Sequence, residues 1–210
     1  VAQERDPEAL AAGDYAPKDH QGRSLTPVPT AAARCPVAPA SVYASTKLMQ
    51  EYLLTQAFWG TEVEVGILRL QNVYGPGQSL NNPYTGVLSI FARQIQEGKN
   101  LEIYEDGEIT RDFILVDDVV RAFVRMAEVA RVPDGIVDIG LGQGATILEV
   151  ARTMLTAFGR SPDDLRISGA FRPGDIRYGV ADIAAARDQL GWTPQSSLAD
   201  GLSALVEWSK

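Results

Sequence analysis

The stretch that most constrains the fold is residues 62–70, where alternating polar and apolar side chains give way to an almost unbroken apolar run. This change is typical of a strand that enters a buried, parallel sheet. A segment with helical spacing of apolar residues, 42–58, precedes the strand, and a loop containing glycine and proline, 71–77, follows it. Ligands of open α/β sheets bind at the carboxyl ends of the strands. The sequence therefore predicts an α/β fold with a ligand site near this loop.

Tyr43 and Lys47 lie four residues apart at the start of the predicted helix, just behind Ser41, a suitable N-cap residue. Residues with this spacing share one helix face, so the phenol and the ammonium point into the same space. A free phenol has a pKa of about 10, but a nearby cation favours its phenolate form. Such a tyrosine can remove a proton from a sugar or alcohol hydroxyl while hydride leaves the same carbon. The alternative is an ordinary pair on a helix surface.

Composition narrows the class of protein. The net charge is -8 and no basic patch is evident, which argues against a partner nucleic acid. The single cysteine, Cys35, excludes an intramolecular disulfide, and the single histidine, His20, argues against a histidine-based triad or metal centre. No apolar run approaches the length of a membrane span, and the start does not read as a signal peptide. We therefore expect a cytoplasmic protein with no membrane partner and no metal.

The chain after residue 80 contains shorter predicted elements. Residues 86–97 show an amphipathic helical pattern, and residues 101–104 form a short strand. Asp106 and Gly107 predict a tight turn that joins this strand to the next one as a hairpin. Asp117 is expected to cap a helix over 118–130. Further elements are predicted over 146–158, 165–168, 181–190 and 198–208.

A glycine-rich turn at Gly140, Gly142 and Ala145 formally fits the G-x-G-x-x-A pattern of dinucleotide-binding loops. A phosphate could in principle bind there, because the following helix points free N–H groups at the turn. Thr146 and Glu149, however, form a capping box that uses some of those N–H groups internally. We therefore expect that this turn is not the phosphate-binding loop.

Five motifs follow one another in a fixed order. They are Tyr-x-x-x-Lys at 43–47, Arg-Leu-Gln-Asn-Val-Tyr-Gly-Pro at 69–76, Arg-Asp-Phe-Ile-Leu-Val-Asp at 111–117, Arg-Pro-Gly-Asp at 172–175 and Leu-Gly-Trp-Thr-Pro at 190–194. This order resembles the extended short-chain dehydrogenase/reductase family, specifically its NAD-dependent nucleotide-sugar epimerases and dehydratases. The resemblance covers nearly the whole chain from residue 39 onward.

The resemblance implies the C-terminal part of a doubly wound, Rossmann-like parallel sheet plus a small α/β substrate-binding domain. Residues 1–38 are then a surface loop or insertion, and 39–80 are the C-terminal part of the NAD-binding Rossmann domain. Part of 110–140 returns to that domain, whereas 81–210 mainly bind the nucleotide sugar. The strand, glycine loop and helix that hold NAD in the family are not found ahead of the tyrosine, nor is the family's catalytic Ser or Thr. The expectation is that these residues are the C-terminal part of a larger enzyme.

The family's chemistry implies roles for the residues of the motifs. Tyr43 acts as the base, Lys47 assists it and holds the nicotinamide ribose of NAD, and Gln71 lies beside the cofactor. The reaction is epimerisation at C4 of a nucleotide-activated hexose or deoxyhexose through a 4-keto sugar. Dehydratases and decarboxylases share every motif seen here, and a catalytically inactive nucleotide-sugar-binding protein is the alternative of another class. Members of the family pair through the tyrosine helix, which implies a homodimer.

The substrate side of the site is also implied by the resemblance. Asn72, Arg111 and Arg172 hold the diphosphate of a dTDP- or UDP-sugar, Tyr104 lines the base, and Asp175 fixes Arg172 or binds a ribose hydroxyl. Each residue has a plainer interpretation. Asn72 could cap a turn, Tyr104 could simply pack, Arg111 could pair with Asp112 or Asp117, and residues 171–177 could form a surface turn. Within the family, the long insertion and residues 81–86 most resemble the dTDP-L-rhamnose 4-epimerase type.

Overall fold

Helices and strands alternate along the chain in the computed structural model, which describes residues 4–80 and 86–209. The fold is α/β, as predicted. None of the helices in these ranges combines the length and the apolar character that crossing a bilayer requires. The helices are α1 (Pro7–Ala11), α2 (Val42–Ala57), α3 (Val87–Gln96), α4 (Val116–Glu128), α5 (Ile147–Ala157), α6 (Ala184–Leu190) and α7 (Leu198–Ser209). The strands are β1 (Ile67–Leu70), β2 (Asn72–Tyr74), β3 (Leu101–Ile103), β4 (Thr110–Arg111), β5 (Phe113–Leu115), β6 (Ile136–Ile139), β7 (Ala145–Thr146), β8 (Leu165–Ile167) and β9 (Tyr178–Gly179).

Helix α2 forms where the sequence predicts it. Ser41 is its N-cap and accepts a hydrogen bond from the backbone N–H of Ala44 at 3.1 Å. The helix has no buried residue, and its large apolar side chains stay open to solvent. Val42, Met49 and Leu53, for example, are all more than half exposed. Packing therefore contributes little to the position of α2.

The predicted parallel pairing is confirmed at β1, which lies beside β6 with Ile67 opposite Ile136. The strand begins only at Ile67, five residues later than the pattern of residues 62–70 suggests. The loop predicted over 71–77 is partly wrong, because β2 continues the chain as a strand parallel to β5. The backbone N–H of Asn72 donates to the carbonyl of Asp112 at 3.0 Å, which starts this second pairing.

The predicted hairpin at Asp106 and Gly107 is wrong, although the turn itself is present. The N–H of Gly107 bonds to the carbonyl of Tyr104 at 3.0 Å, and Gly107 has a φ of +86°. Strand β3 pairs in parallel with β8, whereas β4 lies between β7 and β9. The two strands on either side of the turn therefore find partners that are distant in sequence.

The cap predicted at Asp117 is also wrong. Helix α4 begins at Val116, its N-cap is Leu115 without a side-chain hydrogen bond, and Asp117 lies in the first turn. The buried neighbour Asp118 instead accepts hydrogen bonds from the backbone N–H groups of Gln195 and Ser196, at 2.7 and 3.1 Å. The carboxylate of Asp118 therefore ties α4 to the segment ahead of α7.

Two apolar clusters form the core. One lies among α3, α5 and α7, and the other lies beneath α4 and α6 against β6. The largest fully buried apolar side chains are Leu10, Leu88, Leu101, Ile103, Ile114, Ile139, Met154, Leu155, Leu190, Leu202 and Leu205. Strand β5 contributes to both clusters, through Phe113 in the first and Ile114 in the second.

The N-terminal segment, residues 4–38, is largely exposed but is fixed to the rest of the chain at several points. Leu10 is buried, and Thr30 exchanges backbone hydrogen bonds of 2.8 Å with Val180 and Asp182. The N–H of Ala32 donates to the carboxylate of Asp138 at 2.6 Å. This segment therefore lies against the part of the chain for which nucleotide-sugar binding is predicted; the division into domains stays a prediction.

Candidate active site

Tyr43 and Lys47 lie one helical turn apart near the start of α2. The ammonium of Lys47 is 5.8 Å from the centroid of the Tyr43 ring, and Tyr43 is 71% exposed. Within residues 4–80 and 86–209, neither the phenol nor the ammonium forms a hydrogen bond. Both polar groups are therefore open to a ligand, and the structure brings this predicted pair together.

An ion pair holds α2 against the sheet. The guanidinium of Arg69 in β1 donates two hydrogen bonds to the carboxylate of Glu51, at 2.8 and 2.7 Å. The bond to Glu51 raises the pKa of Arg69. Glu51 follows Lys47 by four residues and so lies on the face that carries Tyr43 and Lys47. Sequence analysis missed this contact, which positions the helix that carries the predicted base.

Gln71 and Asn72 lie where β1 ends and β2 begins. The backbone N–H of Gln71 donates to the carbonyl of Ile139 at 2.9 Å, and its side chain passes close to Gly140. The side-chain amide of Asn72 donates to the carbonyl of Asp112 at 3.1 Å, and the residue is exposed. Asn72 thus begins a strand and does not cap a turn, and its amide is held at the carboxyl end of β1.

Asp112 is a second residue whose role sequence analysis missed. Its carboxylate is fully buried and accepts hydrogen bonds from the backbone N–H groups of Leu141, Gly142 and Ala181, at 2.6, 3.0 and 3.2 Å. Burial raises its pKa, and these three donors oppose that rise. Asp112 therefore does not pair with Arg111, which was one of the plainer interpretations of the arginine.

The contacts of Asp112 also explain the glycine-rich turn after β6. The N–H groups of Leu141 and Gly142, which a bound phosphate would need, already donate to this carboxylate. The predicted capping box is present as well, since Thr146 and Glu149 satisfy one another's backbone N–H groups. Phosphate binding at this turn therefore has no support in the geometry, as the sequence predicts.

Arg111 and Asp175 form an ion pair with a distance of 2.7 Å between the guanidinium Nη2 and the carboxylate Oδ1. Burial lowers the pKa of Arg111, and the carboxylate of Asp175 opposes that change. The expectation that Asp175 fixes Arg172 is not what the structure shows, because its carboxylate reaches Arg111 instead. This partner lies 64 residues away in sequence, so no local pattern could have identified it.

Tyr104 and Arg172 also come together. The guanidinium carbon of Arg172 lies 5.3 Å from the centroid of the Tyr104 ring, which is a cation–π distance. Arg172 is exposed, and Tyr104 is half-buried. The four predicted substrate residues after β3 therefore form two contacting pairs, and the 172–175 turn contributes one residue to each pair.

An open cleft of about 1060 Å³ separates the N-terminal segment from this region. Asp175 and Tyr178 line one wall, whereas Tyr15 and Thr26 line the other. Ala40, three residues before Tyr43, also lines the cleft. The cleft therefore extends from Asp175, the partner of Arg111, towards the start of α2, and it is large enough for a nucleotide sugar.

Comparison with known proteins identifies the family. The family described as the NAD dependent epimerase/dehydratase family matches residues 16–140. A dTDP-L-rhamnose 4-epimerase from Burkholderia thailandensis is 45% identical over 186 residues, which are 88% of this chain and 50% of that protein. A UDP-glucose 4-epimerase from Mycolicibacterium smegmatis is 35% identical over 173 residues, which are 82% of this chain and 54% of that protein. The chain thus spans about half the length of the curated relatives it matches.

Solved structures show the same fold. The UDP-glucuronic acid 4-epimerase from Bacillus cereus, in complex with UDP-glucuronic acid and NAD, superimposes with a TM-score of 0.74 at 30% identity. The match covers 88% of this chain and 57% of that one. The α/β architecture is therefore that of the Rossmann-fold epimerases, and the chain belongs to the NAD dependent epimerase/dehydratase family.

Proposed function

We propose that this chain carries the catalytic base of an NAD-dependent nucleotide-sugar 4-epimerase and the residues that bind the diphosphate of its substrate, which we call the grip. The observation that carries the proposal is the Tyr43–Lys47 pair, which is open to a ligand on a helix anchored to β1 through Glu51 and Arg69. A tyrosine with a cation one turn away suits proton removal from a hydroxyl group. The motif order and the family assignment support the same function.

The residues near the carboxyl end of β1 fit the nicotinamide end of NAD. The ammonium of Lys47 can donate to ribose hydroxyls, and the side chain of Gln71 lies at the strand end where such ligands bind. When bound, NAD supplies the acceptor and later the donor of hydride. In our proposal Lys47 stabilises the phenolate of Tyr43, and Tyr43 removes the proton of the sugar C4 hydroxyl and later returns it to the C4 oxygen.

Binding of the nucleotide is assigned to the residues around Asp175, which lines the cleft. Arg111 offers a planar guanidinium that can bind phosphate oxygens in a bidentate manner, and Arg172 offers a second. Asn72 adds an amide at the neighbouring strand end. Because the diphosphate is held, only the 4-keto sugar rotates, and it accepts hydride on its other face. Tyr104 is proposed to line the base, and Asp175 to orient Arg111.

The relatives guide the choice of substrate. The Burkholderia thailandensis protein is a dTDP-L-rhamnose 4-epimerase, and the long N-terminal segment is consistent with that type. Residues 81–86, which share that resemblance, lie mostly outside the described residues. We therefore propose a dTDP-deoxyhexose substrate, with UDP-glucose as the second choice, and a role in carbohydrate biosynthesis in the cytoplasm. The exposed apolar side chains of α2 further support a homodimer through this helix.

Replacement of the proposed base tests the function. In the complete gene product, Tyr43→Phe is expected to lower kcat for C4 epimerisation about a hundredfold or more, because proton transfer loses its acceptor. The affinity for the nucleotide sugar should stay within about threefold, because the diphosphate contacts remain. Tyr52→Phe, an exposed tyrosine on the same helix, is the matched control. Turnover within a few-fold of wild type for Tyr43→Phe contradicts the proposal.

The same experiment separates the alternatives. Binding of the nucleotide sugar without any turnover by the wild type indicates the catalytically inactive binding protein. Release of water or carbon dioxide from the substrate indicates a dehydratase or a decarboxylase. Each product is identified by NMR of the nucleotide sugar after incubation.

A further inference from the structure

Arg5 lies in the N-terminal segment, and its side chain is buried against the part of the chain that is predicted to bind the nucleotide sugar. Its guanidinium lies 2.8 Å from Oε1 of Glu105 and donates to Oε2 of the same carboxylate at 2.9 Å. It also donates to the backbone carbonyl of Asp175 at 2.8 Å. The side chain is only 7% exposed, and the carboxylate of Glu105 is fully buried. A longer bond of 3.4 Å runs from Arg5 to the carbonyl of Tyr15. Arg5 therefore joins Glu105 and Asp175, two points of the fold that are distant from each other in sequence.

The two points that Arg5 joins carry the proposed substrate residues. Tyr104 directly precedes Glu105, and Arg111 pairs with the side chain of Asp175. Asp175 closes a turn in which its N–H donates to the carbonyl of Arg172 at 3.1 Å, and Arg172 lies over Tyr104. A displacement of either point therefore moves a residue of the proposed grip.

The backbone at Glu105 shows that this position is held by its surroundings. Glu105 has a φ of +53°, a left-handed conformation that residues other than glycine rarely adopt. Such a conformation persists only where the surrounding structure fixes it. Arg5 and Arg177 both pair with its carboxylate, and its N–H donates to the carbonyl of Ala170 at 2.8 Å. Removal of Arg5 leaves the buried carboxylate of Glu105 with only one of its two cationic partners, on a residue whose backbone is strained.

We propose that Arg5 is a positioning residue that sets the spacing of the Tyr104–Arg172 and Arg111–Asp175 pairs, so that the site accepts a nucleoside diphosphate. This inference rests on the proposed function, and it assigns the N-terminal segment a role in substrate binding. Because both terminal nitrogens of its guanidinium are occupied by Glu105, Asp175 and Tyr15, Arg5 acts through these neighbours and does not itself contact phosphate.

Binding of dTDP and UDP to the complete gene product tests this role by isothermal titration calorimetry. Arg5→Met is expected to weaken the affinity for both diphosphates about tenfold, since the bridge between the two pairs is lost. Arg5→Lys keeps the charge but cannot span both acceptors, so a loss of about threefold is expected. Arg23→Met, which removes a 73% exposed side chain that pairs with Asp19 in the same segment, is the matched control and should stay within about twofold.

Two further measurements make the outcome specific. Thymidine and uridine, which lack phosphates, should lose less affinity for Arg5→Met than dTDP and UDP do, because the displacement moves both arginines proposed to bind the diphosphate but only one residue proposed to contact the base, Tyr104. Circular dichroism shows whether each variant is folded. If Arg5→Met is unfolded, the affinity of Arg5→Lys is the result that tests the inference. A folded Arg5 variant that binds dTDP and UDP like wild type, while Arg111→Met loses them, overturns the inference alone. Absence of diphosphate binding by wild type overturns the proposed function and this inference with it.

Discussion

The ion pair between Glu51 and Arg69 is expected to control local opening of the helix that carries Tyr43. Helix α2 has no buried residue, so this bidentate contact is a large share of what holds it to β1. Both side chains are partly shielded, with 16% of Glu51 and 27% of Arg69 exposed. A charged hydrogen bond contributes about 1.5–3 kcal/mol when shielded, and an exposed ion pair contributes less than about 1 kcal/mol. For this half-shielded pair we expect about 1–2 kcal/mol.

That free energy translates into an exchange rate. Because about 1.4 kcal/mol changes an equilibrium tenfold, Arg69→Met should increase local opening of α2 about 5- to 30-fold. Hydrogen–deuterium exchange measured by mass spectrometry on the 210-residue chain reports this opening through peptides that cover Val42–Ala57. Peptides from α5, which has four buried residues, should exchange at the wild-type rate.

A matched variant and two contrary results complete this test. Arg131→Met removes a pair with Asp134 whose side chains are 76% and 89% exposed, and it should leave the exchange of α2 unchanged. Exchange of α2 within about twofold of wild type in Arg69→Met refutes the reasoning that this pair anchors the helix. Equal acceleration in α2 and α5 also refutes it, because the effect is then global.

Two further predictions concern stability. Asp112→Ala leaves three backbone N–H groups without their acceptor, which costs about 1–3 kcal/mol for each group. Calorimetry should therefore show a Tm lower by about 6 °C or more. The control Asp134→Ala removes an exposed carboxylate and should leave Tm unchanged. Burial raises the pKa of Tyr74, so the phenol releases its proton more readily in the unfolded chain than in the folded one. The contribution of Tyr74 to the free energy of unfolding is therefore complete below the ordinary pKa of about 10 and is lost as pH rises further. Urea unfolding at pH 8 and pH 11 should show a smaller alkaline loss for Tyr74→Phe than for wild type, and equal losses would contradict this.

Local signals predicted local structure well. Ser41 as the N-cap of α2 and the capping box of Thr146 and Glu149 are confirmed, because both depend on residues within one turn of each other. The parallel pairing predicted for this strand is confirmed at β1, but its predicted burial is wrong, because Ile67, Leu68 and Arg69 are half-buried and Leu70 is exposed. Tyr43 and Lys47 are adjacent for the same local reason, and their chemical roles stay predictions.

Contacts between segments that are distant in sequence could not be predicted from the sequence. Asp106 and Gly107 do form a turn, but no local pattern reveals that β3 prefers β8 to the neighbouring strand β4. Asp175 was expected to fix the nearby Arg172 or to bind a ribose hydroxyl, whereas its carboxylate contacts Arg111. The role of Arg5 could not be predicted, because the two acidic residues that it contacts lie 100 and 170 residues away. Only packing determines which of many carboxylates a given arginine reaches.

The central claim is transient oxidation at C4 with Tyr43 as the base, and the fate of the C4 hydrogen tests it most directly. The complete gene product is incubated with dTDP-L-rhamnose, and separately with UDP-glucose, in deuterium oxide, and the nucleotide sugar is analysed by proton NMR. Our account predicts that the C4 epimer appears with its original hydrogen at C4, because the hydride that leaves this carbon returns to it. Epimerisation with deuterium at C4, or no epimer from either sugar, would contradict the account.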